Sequence, residues 1–382
     1  MKLRAVAALG LTAALALTAC GGDAGDEATP TTDETTPEAA ETADAGDEGE
    51  EDAGDAGSGL SGEFAGMGAS SMRVAQDAWT SAFMADNPGV TVSYAAEGSG
   101  AGRGGMEDGS VQFAGSDRAF TLEENVAGNF AACTADSIVL DLPVYISPIA
   151  VIFNLDGVDN LNLDPATIAS IFKGDIAKWN DPAIAAHNEG VELPDEFITI
   201  VHRSDNSGTT ENFTDYLSQV AGDVWDAEVS GDWPYEGGQP AAQTDGVANA
   251  VGSGQGTIGY VDLSAAGDMG TVSIGTDGTY FEATPEAAAQ VVENSPVEEG
   301  RAEHDLAIAL DREADGYPIV LIAYAMACQN YEDQNTADLV KGYLSYISSA
   351  EGQDLAAAQA GNAPLSPGLQ EQVAAAVDSI NA

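Results

Sequence analysis

An α/β fold built mainly on parallel sheets is predicted by two observations: strand and helix patterns alternate along the chain, and the strand-like runs are short, apolar and rich in β-branched residues. The alternation begins near Leu60. Met72, Ala75, Ala78, Trp79, Ala82 and Phe83 recur at helical spacing, and Val90 to Tyr94 alternates apolar with polar residues as a strand does. Val144 to Phe153 reads as a buried strand. Asp164 before Pro165 places a side-chain acceptor ahead of a residue that has no N–H, so a helix opens there and runs toward Phe172. Phe197 to Val201 is a further strand, and Phe213, Tyr216, Leu217 and Val220 form one face of the helix after it. Ile319 to Met326 is a second long apolar run, and the chain is helical by periodicity from Thr336. No internal repeat suggests a solenoid.

The chain has 382 residues, 44% of them hydrophobic, enough for two domains with packed cores. Its 11 basic residues face 63 acidic ones, a formal charge of −52. That balance excludes nucleic acid as a partner, which needs clustered Lys and Arg, and excludes electrostatic docking on anionic lipid. The acidity reads as a means of staying soluble. An anionic ligand would have to be held by local donors.

The N-terminus reads as a targeting segment. Lys2 and Arg4 precede an apolar run of 15 residues, Ala5 to Ala19, too short to span a bilayer comfortably. Leu17-Thr18-Ala19-Cys20 then resembles a bacterial lipobox, which implies cleavage after residue 19 and a lipid on Cys20. Residues 23–58 contain 14 Asp or Glu and no Lys, Arg or aromatic residue, a composition that predicts a disordered, solvated tether over residues 20–59. With Cys20 assigned to lipid, Cys133 and Cys328 remain as a pair in an oxidising compartment, and a Cys133–Cys328 disulfide is expected.

Four segments carry chemistry. They are Gly66 to Met72, Gly98 to Arg103, Phe113 to Asp117, and Arg203 to Thr210. Each can present backbone N–H groups or hydroxyls at the start of a helix, where the unpaired N–H groups and the positive dipole end favour an anion. Arg203 adds a planar fork suited to a tetrahedral oxyanion. Each segment alone is weak, since a Ser before a helix is more often a plain cap. Gly98 to Gly102 lacks the spacing of a dinucleotide loop, and no nucleotide P-loop is present. The three histidines, His187, His202 and His304, lack metal-ligand spacing, and no Ser has an evident base. Alternation along the strand points His202 away from the face of Arg203. The sequence calls for no cofactor or metal and does not read as an enzyme.

Together, and in this order, the four segments resemble the phosphate-binding receptors of high-affinity phosphate ABC importers over about residues 60–382. Arg203-x-x-x-Ser207-Gly208-Thr209 is the most specific element, supported by Gly115-Ser116-Asp117, Gly98-Ser99 and Gly68-Ala69-Ser70. Residues 171–180 and 256–261 fit more weakly. The resemblance implies that Ser70, Ser71, Ser99, Asp117, Arg203, Ser207, Gly208 and Thr209 hold phosphate through hydroxyls, backbone N–H groups and the Arg203 fork, with Asp205 orienting Arg203. It implies permease subunits as partners and a two-lobed periplasmic-binding-protein fold with a cleft and a two-crossover hinge near 143–147 and 316–319. Domain I would be 60–145 plus 317–382 and domain II 146–316, which places Cys133–Cys328 within domain I.

Two departures from the pattern stand out. Ser71 occupies a position where many relatives have Phe, and Arg118 follows Asp117 where small residues are common. Arg118 either offsets the acidic surroundings or pairs with a nearby carboxylate. Asp117 beside an anion makes sense when the anion still carries a proton. Protonated phosphate can donate to it, whereas fully ionised sulfate meets repulsion. A receptor for another oxyanion and a secreted phosphatase-like enzyme remain as alternative readings.

Overall fold

A computed structural model describes residues 59–382; the expected signal segment, the expected lipid site at Cys20 and the acidic stretch up to residue 58 lie outside the described residues. The first unit of the fold is β1 (Gly62–Gly68), α1 (Arg73–Asp86), β2 (Val90–Ala95), α2 (Ser99–Asp108) and β3 (Phe113–Ser116). β1 pairs in parallel with β2 on one side and β3 on the other. α1 buries Ala75, Trp79 and Phe83, the stripe expected from their spacing.

A long strand, β4 (Val139–Asn154), follows and is buried along almost its whole length. Next come β5 (Asn160–Leu163), α3 (Pro165–Lys173), α4 (Pro182–His187), β6 (Thr199–Arg203), α5 (Gly208–Val220), β7 (Gln239–Ala241), α6 (Gln243–Ser253) and β8 (Thr257–Asp262). α3 starts as its sequence indicates, with the Asp164 carboxylate accepting from Thr167 N at 2.7 Å and Pro165 in the first turn. β9 (Gly270–Thr276), β10 (Thr279–Phe281) and α7 (Pro285–Glu293) lead to β11 (Val320–Cys328), and α8 (Gln334–Ser348), α9 (Ala350–Ala360) and α10 (Pro367–Asp378) close the chain.

The strands join in the order β2-β1-β3-β11-β4-β8-β6-β7, with β9 also on β4 and carrying β5 and β10. This corrects the expectation of mainly parallel sheets. The flanking β–α units are parallel, but β11 runs antiparallel to β3 and β4, and β4 runs antiparallel to β8 and β9. The reason is the path of the chain. β4 and β11 are the two passages through the middle of the sheet and run in opposite directions, so no crossover helix can join them in parallel. β4 pairs with β11 as far as Pro148 and with β8 from Ile149. The strand predicted from Phe197 begins instead at Thr199, and Phe197 is 71% exposed with Lys178 over its ring.

Cys133 and Cys328 are bonded, their Cα atoms 5.3 Å apart, as expected from the cysteine count. The bridge ties the loop before β4 to the end of β11. Among the described residues no helix is long and apolar enough to cross a membrane.

Asp262, at the end of β8, is fully buried beside β4. Its Oδ1 accepts from Tyr145 Oη at 3.0 Å and from Ser264 N at 2.9 Å. Burial outweighs these bonds and pushes the carboxyl from 3.8 up to about 6. A raised carboxyl stabilises the fold below 3.8 and loses that contribution as pH rises through about 6, because the unfolded chain ionises first. Asp262→Asn should therefore gain stability relative to the parent by on the order of 2 kcal/mol between pH 4 and pH 7, read from denaturant unfolding. A pH-independent difference would contradict this.

Candidate functional site

The four chemical segments meet at Asp117. Gly68 and Gly115 bring the first and third together. Gly68 has φ 144°, and a Cβ there would lie 1.9 Å from Gly115 O, so the ends of β1 and β3 approach as closely as backbone allows. Ala69 N donates to Gly115 O at 2.8 Å, which sets residues 69–71 beside Asp117. Ser71 Oγ then donates to Asp117 Oδ1 at 2.5 Å. On the opposite side Thr209 Oγ1 donates to Asp117 Oδ2 at 2.9 Å. Asp117 N donates to Ser99 Oγ at 3.1 Å, and its carbonyl accepts from Asn212 Nδ2 at 2.6 Å. One residue thus touches the starts of α1, α2 and α5. Burial raises the Asp117 carboxyl above its ordinary value, and the Ser71 and Thr209 hydroxyls with the charges of Arg203 and Arg103 only partly offset it.

Arg203 closes β6 and is buried. Its Nε donates to Asp205 Oδ1 at 2.9 Å and its Nη2 to Asp205 Oδ2. Asp205 Oδ1 also accepts from Gln243 N at 2.9 Å. Burial alone would raise the Asp205 carboxyl, but Arg203 and the Gln243 N–H hold it below the usual value. Ser207 caps α5 by accepting from Thr210 N at 3.2 Å. At Gly208 a Cβ would lie 2.6 Å from Ser99 Oγ and 2.7 Å from Asp117 Cβ, so only glycine lets α5 come this near. Ser70 faces another partner. Its Oγ lies 3.0 Å from Thr244 Oγ1 and accepts from Thr244 N at 3.1 Å.

Thr244, in the first turn of α6, escaped the sequence reading. Its signal was an apolar spacing, Val247 and Val251, that starts just after a short strand. Asn212, which ties Asp117 O to Gly208 O, was also missed. His202 stacks on Trp233 with ring planes 14° apart, and its Nδ1 lies 2.9 Å from Arg203 O. Arg118 pairs with carboxylates: Nη1 donates to Glu124 at 2.6 Å and Nε to Glu211 at 3.0 Å.

Capping differs among the helices. α3, α4, α5, α7, α8, α9 and α10 begin with Asp, Ser or Thr whose side chain accepts a backbone N–H. α1, α2 and α6 begin after Met72, Gly98 and Ala242, which carry no side-chain acceptor. All three starts lie at this site, and α6 is capped from across it, Gln243 N by Asp205 Oδ1 and Thr244 N by Ser70 Oγ. Among the described residues there is no cluster of three or more His, Cys, Asp or Glu placed to hold a metal ion.

This fold and this meeting of helix starts define a solute-binding class. Residues 27–351 match the model of the PBP superfamily domain. The chain is 33% identical over 328 residues to Phosphate-binding protein PstS 3 of Mycobacterium leprae, covering 82% of this chain and 85% of that one. It is 31% identical over 330 residues to Phosphate-binding protein PstS 2 of Mycobacterium tuberculosis, covering 84% and 87%. The chain belongs to the PstS phosphate-binding protein family of this superfamily. The fold is similar to that of a high-affinity periplasmic phosphate-binding protein, PfluDING, bound with phosphate (TM-score 0.66, 20% identity, 82% of this chain and 93% of that one). It is also similar to a putative phosphate ABC transporter substrate-binding protein from Clostridium perfringens with bound phosphate (TM-score 0.57, 21% identity, 78% and 98%).

Burial alone would raise the Glu124 carboxyl, but the Arg118 fork and the Thr121 N–H bring it down to about 2. An NMR pH titration should find the Glu124 midpoint near 2 in the parent and within or above the ordinary carboxylate range in Arg118→Met. Equal midpoints would show that Arg118 does not hold it.

Proposed function

We propose that this protein is an extracytoplasmic receptor that captures inorganic phosphate and hands it to the permease subunits of an ABC importer. The observation that carries this reading is the gathering of the starts of α1 and α2, which no side chain caps, with the starts of α5 and α6 around Asp117 and Arg203. N–H groups that no side chain caps, aligned with the helix dipoles, are what a tetrahedral oxyanion needs. The names of the relatives in the PstS family point the same way.

In this reading Ser70, Ser71, Ser99, Ser207 and Thr209 offer hydroxyls, and Ser70, Ser71, Gly208 and Thr209 offer backbone N–H groups. Arg203 is the charged fork, held flat by Asp205. The hydroxyls of Ser71 and Thr209 turn from Asp117 to the ligand as it enters, which leaves the Asp117 oxygens to accept its proton. Residues 60–145 with 317–382 form one lobe, residues 146–316 the other, and β4 and β11 are the hinge. Phosphate bridges the lobes and holds them closed, the form a permease can recognise. A lipid on Cys20 and the acidic stretch of residues 20–59 keep the receptor at the outer face of the membrane. The role is binding and delivery rather than catalysis, and no cofactor enters it.

The reading is tested by thermal shifts with phosphate, arsenate, sulfate and molybdate. Phosphate should raise the unfolding midpoint in proportion to the logarithm of its concentration, and sulfate should not. No response to phosphate, or a larger one to sulfate or molybdate, would overturn it. In Asp117→Asn the acceptor gains a donor. Its phosphate-over-sulfate preference by calorimetry should fall at least tenfold from that of the parent. An unchanged preference would remove Asp117 from the discrimination.

A further inference from the structure

Gly98, just before α2, and Gly100, in its first turn, face residues from the opposite side of the site. At Gly98 a Cβ would lie 2.6 Å from Asp205 Oδ2, and at Gly100 one would lie 2.5 Å from Asn206 Oδ1 and 2.8 Å from Asn206 Cβ. From the other side, a Cβ on Gly231 would lie 3.0 Å from the Asn206 amide. The Asn206 side chain therefore lies in a slot open to solvent, with a glycine on each wall. Arg103, one helical turn further along α2, closes the slot. Its guanidinium is buried, with Nη1 donating to Ser116 Oγ at 2.9 Å and Nη2 to Asn206 Oδ1 at 3.1 Å. Gly100 N adds a bond to Asn206 O at 3.2 Å. Glu211 Oε2, on α5, lies 4.0 Å from Arg103 Nη2.

We propose that Arg103 is a positioning residue which sets the affinity for phosphate without touching it, by gripping Asn206 in the Gly100–Gly231 slot and so holding the Arg203–Thr209 loop closed against α2. The inference rests on the receptor reading for its ligand, and on geometry alone for the grip. Ser116, which anchors Arg103, directly precedes Asp117, so the grip and the carboxylate share one strand end. Asn206 lies between Asp205 and Ser207, so releasing it frees the loop that carries the charged fork. Binding through a closed form that is only partly populated weakens apparent affinity by that fraction. Each contact that favours closure in the empty receptor therefore tightens binding, mainly through slower release.

Gly100→Ala separates the grip from general stability because the two effects have opposite signs. Alanine favours a helix over glycine, so the ligand-free variant should melt no lower than the parent. Its Cβ fills the slot, so the phosphate dissociation constant should rise about tenfold or more, with the change in the off-rate. Adding Asn206→Gly to Gly100→Ala removes the residue the grip acts on, so it should neither recover nor deepen the loss. Arg103→Met should speed phosphate release to a similar degree, and Asn206→Gly should cost nothing further in that background. Unchanged off-rates in Gly100→Ala and Arg103→Met, or release as slow as the parent's in the Gly100→Ala/Asn206→Gly double variant, would overturn the proposal. Small-angle scattering of the ligand-free parent and Gly100→Ala reads the grip without phosphate. The variant should have the larger radius of gyration, and equal radii count against the grip. If the parent itself does not bind phosphate, the receptor reading fails while scattering still decides the grip.

Discussion

The two hydrogen bonds that Asp117 accepts, from Ser71 Oγ at 2.5 Å and from Thr209 Oγ1 at 2.9 Å, hold together parts of the chain that are 46 and 92 residues apart from it. A buried carboxylate without such donors would cost several kcal/mol, more than a typical hydrogen bond returns. The surrounding structure is arranged to supply them. Gly68 lets the ends of β1 and β3 touch so that Ser71 arrives, and Gly208 lets α5 come close enough for Thr209 to reach. Ser99 and Asn212 fix the backbone on either side of the carboxylate. The disulfide and the pairing of β4 with β11 hold the sheet beneath.

A formal charge of −52 looks hostile to an anion site, but charge acts locally. Exposed carboxylates further away than a Debye length of about 8 Å are screened by physiological salt. Helix starts and a buried guanidinium act at contact distance in a less polar medium, where each charge-assisted bond is worth about 1.5–3 kcal/mol. Arg103, Arg118 and Arg203 all cluster around Asp117, and Arg118 is neutralised by Glu124 and Glu211 rather than left facing the site. The receptor reading thus asks little of net charge and much of donor geometry.

Much of this was legible in the sequence, because the signals were local. Helical spacing located α1 and α5, Asp164-Pro165 located α3, and the Arg203–Thr209 motif and Asp117, singled out separately, are brought into contact by the fold. The antiparallel pairing of β4 and β11 was not legible, because strand direction depends on where the chain returns and leaves no trace in periodicity. Thr244 was hidden for a related reason: its role comes from a contact with Ser70 across 174 residues. The absent caps at Met72, Gly98 and Ala242 were readable in principle. They become informative only once the other helices prove to be capped. Gly100 and Gly231 look like ordinary loop glycines until Asn206 is seen between them.

The receptor role requires that one anion be held where the starts of α1, α2, α5 and α6 meet. A crystal structure of the protein grown with phosphate tests it most directly. The account predicts a tetrahedral anion in contact with Arg203, with the backbone N–H groups of Ser71 and Thr209, and with one oxygen directed at Asp117. Phosphate bound elsewhere, or a cleft in which Ser71 and Thr209 keep both Asp117 oxygens while phosphate is present at saturating concentration, would contradict it.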